Sequence, residues 1–217
     1  MSMRWPPLAL TSAGCALGLI ALGMGLPGQM PPSFALPGQR TVWLGAPMAA
    51  FLLPTAAFVT DVVLRRLAIG RALDDSPASG VLPIYDAIMW RLMLFVAGVH
   101  ATVLAGLLGM LHGRGWAAQI VPVMLGSTMI GIGNLLPRIR PNLAIGIRTR
   151  GTLSNRGLWA RTHRAAGYIT VACGVVIVVA ALTVRRPVGP SMILLAGPAA
   201  IAATWVASRA ARRHAHA

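Results

Sequence analysis

The chain has 217 residues, 56% of them hydrophobic and 11% charged, with a mean hydropathy of +0.72. An ordinary soluble domain carries about 25% charged residues, so this composition excludes one and reads as a polytopic membrane protein. The formal net charge of +15 comes from 19 arginines against 4 acids (Asp61, Asp74, Asp75 and Asp86), with no lysine or glutamate. The arginines lie in short segments between apolar runs, so their first role is orientation and attraction to anionic phospholipid, and no direct nucleic-acid binding is expected.

In chain order, six apolar segments are expected near 8–26, 41–60, 92–111, 117–136, 166–184 and 190–208. Each is close to the ~20 residues that cross ~30 Å of hydrocarbon. The expected fold is therefore all-α, an integral membrane bundle of six transmembrane helices. With the N-terminus placed in the cytoplasm, 15 arginines fall inside and 4 outside, which puts both termini and the fourth loop on the cytoplasmic side. Trp5, Tyr85, Trp90, Trp116 and Tyr168 fall near the expected interfaces. No segment outside the spans exceeds about thirty residues, which leaves no room for a soluble catalytic or DNA-binding domain.

The first run follows Arg4 and continues to Leu26, so it reads as an uncleaved span and not as a signal peptide. Gly14 and Gly18 give it a smooth face for helix contact. Cys15 and Cys173 each fall inside an apolar run and behave as small hydrophobes; no disulfide framework, metal-ligand spacing or cofactor motif is present. Residues 26–38 are rich in proline and glycine and read as a stiff extended turn.

After the second span, Asp61 precedes Arg65 by four residues, a spacing that pairs them on a continuing helix until Asp74-Asp75-Ser76-Pro77 turns the chain. In the third span Ala97, Ala101, Ala105 and Gly109 repeat every fourth residue, which predicts a central helix with a close-packing face. His100 lies near the middle of that span, where an ionisable residue is a functional candidate. The competing reading is an interhelical hydrogen bond from a neutral imidazole, worth about 0.6 kcal/mol. No acid stands in any span centre to relay a proton, which favours the hydrogen bond.

The segment Gly133–Gly167 carries seven arginines (Arg138, Arg140, Arg148, Arg150, Arg156, Arg161, Arg164) and no acid. Pro137 and Pro141 stop the fourth span, and Gly146 gives a backbone position that can turn or be closely approached. Asn142 and Arg148 can then face one another across a turn. Thr152 or Ser154 can cap a short helix from Asn155 to about Ala165, with Trp159 and His163 on one face. Such a helix would lie in the interface with its tryptophan inserted and its arginines toward headgroups. Two readings stand together: a basic interfacial helix with a Pro/Gly turn, or a pocket in which Asn134 and Asn142 hydrogen-bond a ligand, Arg148 forks a carboxylate or phosphate, and Trp159 forms a wall. Catalysis by a Ser/His/Asp set or a paired carboxylate lacks its acid here.

Taken together, Gly133, Asn134, Pro137, Asn142, Gly146, Arg148, Thr149, Thr152, Trp159, His163 and Gly167 resemble the signature segment of the SdpI-like membrane proteins. Residues 26–38 also look like a loop of an N-terminal segment often found with it, although Ser33 stands where that segment usually has a histidine; Arg150 and Gly151 replace a usual proline and aromatic. The resemblance implies a two-span N-terminal segment at 1–85 and an SdpI-like four-span segment at 86–217, with signature loop 133–167, in the bacterial inner membrane. It also implies a non-enzymatic immunity and signalling protein without cofactors. Its expected partners are a secreted peptide toxin and a small winged-helix repressor held at the membrane. The alternative class is a small transporter or channel for a lipid-like or anionic solute, which should show a broken span with polar lining at the midplane.

Overall fold

The computed structural model describes residues 5–27, 45–73, 82–111, 116–142 and 145–183. The expected sixth span, the turn at Asp74–Pro77 and most of the Pro/Gly-rich first loop, including Ser33, lie outside those residues. Among the described residues all regular structure is helical: α1 (Trp5–Gly23), α2 (Ala46–Leu73), α3 (Leu82–Leu107), α4 (Trp116–Gly133), a 3₁₀ turn (Leu136–Arg138), α5 (Arg150–Ser154) and α6 (Arg156–Thr183). Four stretches, Ala46–Leu67, Pro83–Leu107, Gln119–Arg138 and Arg156–Thr183, are long and apolar enough to cross a membrane, and the apolar part of α1 is shorter. Leu19, Ile20, Leu52, Val59, Val63, Leu67, Val176 and Leu182 all face outward. A soluble fold would bury such a set, whereas lipid solvates it.

Two span boundaries differ from expectation for one reason. α2 runs on to Leu73 and α3 begins at Leu82, well before 92. Charges bound the apolar runs in sequence, yet these charges find partners within the helices. Arg65 Nη1 lies 2.8 Å from Asp86 Oδ1 on α3, its Nε is 3.7 Å from Asp61 Oδ2, and its guanidinium stands 5.3 Å from the centre of the Tyr85 ring. Arg91 Nη1 donates to Ala87 O at 2.7 Å. The Asp61–Arg65 pairing is thus present, and Asp86 joins it from a helix whose partnership no local spacing could reveal. Tyr85 is no interface aromatic: it is buried, and its hydroxyl donates to Asp61 O at 3.3 Å. The boundary drawn between 85 and 86 falls within α3.

Among the described residues Arg65 is the one cation paired with both acids, and Asp61 is buried. Removing Arg65 takes the counter-charge from both carboxylates in a poorly solvated junction. Arg65→Met is expected to destabilise the protein by about 2 kcal/mol, below the ~3–5 kcal/mol of a fully buried pair because Arg65 retains some solvent access. Asp86→Asn, which keeps one carboxylate per guanidinium, should cost less. Denaturation of the purified protein in micelles checks the order, and equal midpoints for Arg65→Met and wild type would refute it.

α1 packs on α2 through its glycines. Pro54, inside α2, supplies no N–H to the Ala50 carbonyl, and Gly18 lies directly against that freed carbonyl oxygen. A Cβ at Gly14 would sit 2.9 Å from Pro54 Cβ. The glycine face read in the first span is therefore the α1–α2 contact. α3 touches α1, α2 and α4, as its expected central place requires. It does so, however, through large side chains, Tyr85, Met89, Met93, His100, Leu104 and Leu107, all buried at helical spacing. Of the small-residue row, Ala101 is exposed and Gly109 has a φ of +70° with nothing beside it. Small residues permit close approach without producing it.

The most extensive contact joins α4 to α6. A Cβ at Gly126 would lie 2.6 Å from Gly174 O, and one at Gly174 would lie 2.6 Å from Gly126 O. The same reciprocity recurs at Gly133 and Gly167, with 2.9 and 2.7 Å to each other's carbonyl. The second pair lies seven residues along each helix in opposite directions, about two turns, so both crossings fall on one face and the helices are antiparallel. Val171 and Val178 Cγ2 close over Gly133 and Gly126, at 2.8 and 2.7 Å from the same hypothetical carbons. At this end of the bundle the α2–α3 ion cluster and the segment after α4 meet, because Ile145 packs against buried Tyr85 and Met89.

Candidate functional site

The segment between α4 and α6 is laid along the first turns of α6 and held there at successive levels. α4 ends in a tightened turn, with Leu135 N bonded to Ile132 O and Arg138 N to Leu135 O, both at 2.9 Å. Pro137 then rests on Gly167, where a Cβ would meet its ring at 3.0 Å. Ile139 is buried, and its carbonyl accepts from Trp159 Nε1 at 2.7 Å. Asn142 closes the next turn with both ends of its amide: Nδ2 donates to Arg140 O at 2.7 Å and Oδ1 accepts from Ile145 N at 2.8 Å.

Gly146 crosses over the stacked rings of Trp159 and His163, whose centroids are 4.1 Å apart. Its φ is +113° and a Cβ there would press on His163 Nε2 and come within 3.1 Å of the Trp159 ring, so conformation and space both require glycine. Ile147 N–H donates to His163 Nε2 at 3.0 Å, while His163 Nδ1 is 3.0 Å from Trp159 O. A carbonyl only accepts, so Nδ1 carries the proton and Nε2 is the acceptor. This geometry therefore specifies the neutral Nδ1–H tautomer.

Thr149 and Thr152 form a reciprocal capping box at the start of α5: Thr152 N donates to Thr149 Oγ1 at 3.2 Å and Thr149 N to Thr152 Oγ1 at 2.8 Å. The Thr152 hydroxyl, fully buried, lies 2.9 Å from Ile147 O and so also ties α5 to the strand-like stretch over His163. Asn155 caps α6, its Oδ1 accepting from Leu158 N at 2.9 Å.

Several expectations change accordingly. Thr149 and Asn155 are the caps, not Thr152 or Ser154. No separate interfacial helix spans 155–165, because α6 continues unbroken to Thr183. Trp159 is not inserted into lipid: with 1% of its surface exposed, it is the post against which the loop is clamped. The predicted shared face of Trp159 and His163 is present as their stack. Of the residues grouped as a pocket, Asn134 and Arg148 are exposed, Asn142 is engaged in the turn, and Trp159 stands beneath the loop. Ile139, Ile145 and Ile147, and the capping role of Asn155, were missed; isoleucines recurring among arginines, and an Asn three residues before Leu158, were the available signals. All seven arginines face outward.

His100 is buried and its Nε2 lies 3.3 Å from Gly14 O, a bond from α3 to α1 that fits the interhelical reading. Its Nδ1 has no hydrogen-bond partner among the described residues, and the residue helps line a small cavity with Thr11, Gly14 and Pro54.

Apart from the exposed Asn134 and Arg148, the signature residues form one continuous clamp, from the Gly133–Gly167 crossing through Pro137, Asn142, Gly146 and the threonine box to Trp159 and His163. Residues 138–208 match the SdpI/YfhL protein family. The segment is SdpI-like. Gly133, Asn134 and Pro137 stand just before the matched stretch, and the proline-rich first loop lies outside it. No curated protein and no solved structure matches the chain.

Proposed function

We propose that this SdpI-like membrane protein is a non-enzymatic immunity and signalling protein of the bacterial inner membrane. It protects against a secreted peptide toxin and presents its basic loop to a cytoplasmic partner, for which a small winged-helix repressor is the expected kind. The observation that carries this reading is the matched segment itself: within its loop the polar residues are spent on folding, and the seven arginines from Arg138 to Arg164 are turned outward. A rigid cationic platform suits presentation to a partner better than chemistry. No carboxylate lies in the segment to act as a base.

Transport is the second reading, favoured by the small cavity that His100 helps line, the buried imidazole Nδ1 having no partner among the described residues. The surrounding Pro54, Met93 and Ala97 offer little else to a polar solute. Survival of a sensitive bacterium, with and without the protein, against a panel of secreted membrane-active peptides separates the two. Protection against at least one is expected; protection against none, with the protein present in the membrane, would transfer the weight to transport.

The topology proposed with this function places both termini and residue 155 in the cytoplasm, on the 15 to 4 division of arginines. Cysteines introduced at Asn155 and Ser33, in a background without Cys15 and Cys173, should label from opposite sides. Reagent reaching position 155 from outside intact cells overturns the orientation. Within the same survival assay, Arg148→Lys is expected to lose protection if a planar fork is required there, with Arg156→Lys active. Equal, mild effects at both positions would reduce Arg148 to one charge among seven.

A further inference from the structure

α6 is 28 residues long, about 42 Å at 1.5 Å per residue, against ~30 Å of hydrocarbon. Its last charged residue is Arg164, and the stretch from there to Thr183 is about 28 Å, which fills the hydrocarbon and leaves the first turns outside it. Among the described residues, no other element covers one face of this helix along its length. Arg161, Arg164, Tyr168, Val175, Val179 and Leu182 fall within about 60° of arc at 3.6 residues per turn. Tyr168 is 68% exposed, Val175 44%, Val179 52% and Leu182 68%, and both arginines are exposed.

The order along this face is two guanidiniums, a phenol and then apolar side chains. Tyr168 stands about 6 Å deeper than Arg164, and Val175 about 16 Å deeper, close to the midplane of a ~30 Å core. The Arg161 guanidinium leans outward over Gly157, with Nη2 3.8 Å from where a Cβ would be, at the outer edge of the headgroup layer. That sequence of groups mirrors one phospholipid of the adjoining leaflet: phosphate, glycerol and ester, acyl chain.

We propose that this face of α6 is a binding site for an anionic phospholipid, its phosphodiester held between Arg161 and Arg164, its interfacial region against Tyr168 and one chain along α6 to Val175. Guanidinium matches phosphate in charge and in donor geometry. The tyrosine supplies a ring that tolerates ester and hydrocarbon together. Arg156 lies on another face of α6, about 80° or more around the axis from both arginines, and takes no part. The inference rests on the membrane reading and is independent of any toxin or repressor.

The test is native mass spectrometry of the full-length protein released from micelles titrated with phosphatidylglycerol or, separately, phosphatidylcholine. Phosphatidylglycerol should be retained more tightly, and Arg161→Gln and Arg164→Gln should each weaken it about fivefold, from ~1 kcal/mol per arginine near a membrane surface. Arg156→Gln should leave it within twofold. Tyr168→Ala should weaken both lipids, and soluble glycerol phosphate at millimolar concentration should not displace the bound lipid. Equal retention of the two lipids, or equal losses at Arg156 and Arg164, would overturn the site in favour of diffuse surface charge. Displacement by glycerol phosphate would overturn the acyl-chain contact and leave a simple anion site.

Discussion

Gly167→Leu is expected to unfold the α4–α6 pair, lowering the stability of the purified protein by about 3 kcal/mol or more, at the upper end of what overpacking costs. The reason is that the atoms in the way are not flexible. A single added carbon would stand 2.7 Å from Gly133 O and 3.0 Å from the ring of Pro137. Neither a backbone carbonyl nor a proline ring can rotate aside, so the helices must separate, and separation also opens the Gly126–Gly174 crossing. Gly167→Ala should show a smaller loss in the same direction. Ala172→Leu, on the exposed side of the same helix, should be silent. Equilibrium denaturation in micelles reads all three, and a Gly167→Leu midpoint equal to that of wild type would contradict the reciprocal glycine contact.

Trp159→Ala removes the post of the loop and is expected to cost about 3–5 kcal/mol, as for other fully buried large aromatics. The ring holds three things at once: the Ile139 carbonyl through Nε1, the stacked His163, and the close passage of Gly146. Trp159→Phe separates these, since it keeps a ring beneath Gly146 but leaves the buried Ile139 carbonyl without its donor, an expected loss of about 1–3 kcal/mol. Hydrogen exchange distinguishes clamp from span. Amides of 145–155 should lose protection in Trp159→Ala, whereas those of α6 beyond Gly174 should keep theirs, being held by the glycine crossings. Unchanged exchange over 145–155 would show that the loop stands without the tryptophan.

Much of the architecture was legible in advance, because a membrane imposes one length scale on every span. The glycines of α1 and the shared face of Trp159 and His163 were equally legible, since 3.6-residue periodicity is a local property. What could not be read depended on partners distant in sequence. Charge alone puts the start of α3 too late, because Asp86 is paired there with Arg65 on another helix. The Gly126–Gly174 pair has no local signal, since either glycine alone is like the many others in apolar segments. In the basic loop the important positions were identified, but their orientation was not. Spacing gives Gly146, Thr152 and Trp159 a common neighbourhood without saying whether they enclose a ligand or one another. The side chains that decided it, Ile139, Ile145 and Ile147, carry no motif at all.

The two glycine crossings of α4 and α6 also limit how anything sensed within the bilayer could reach the loop. Sliding one helix along the other by a single residue would drive Val171 or Val178 into backbone, and the next offset that again faces glycine toward glycine lies about 10 Å away. A piston stroke of one or two ångströms is thereby forbidden to this pair, while rotation of both helices together is not. Motion at the far end would arrive at the loop as a tilt of the whole hairpin, levered against Tyr85 and Met89 where Ile145 rests on them.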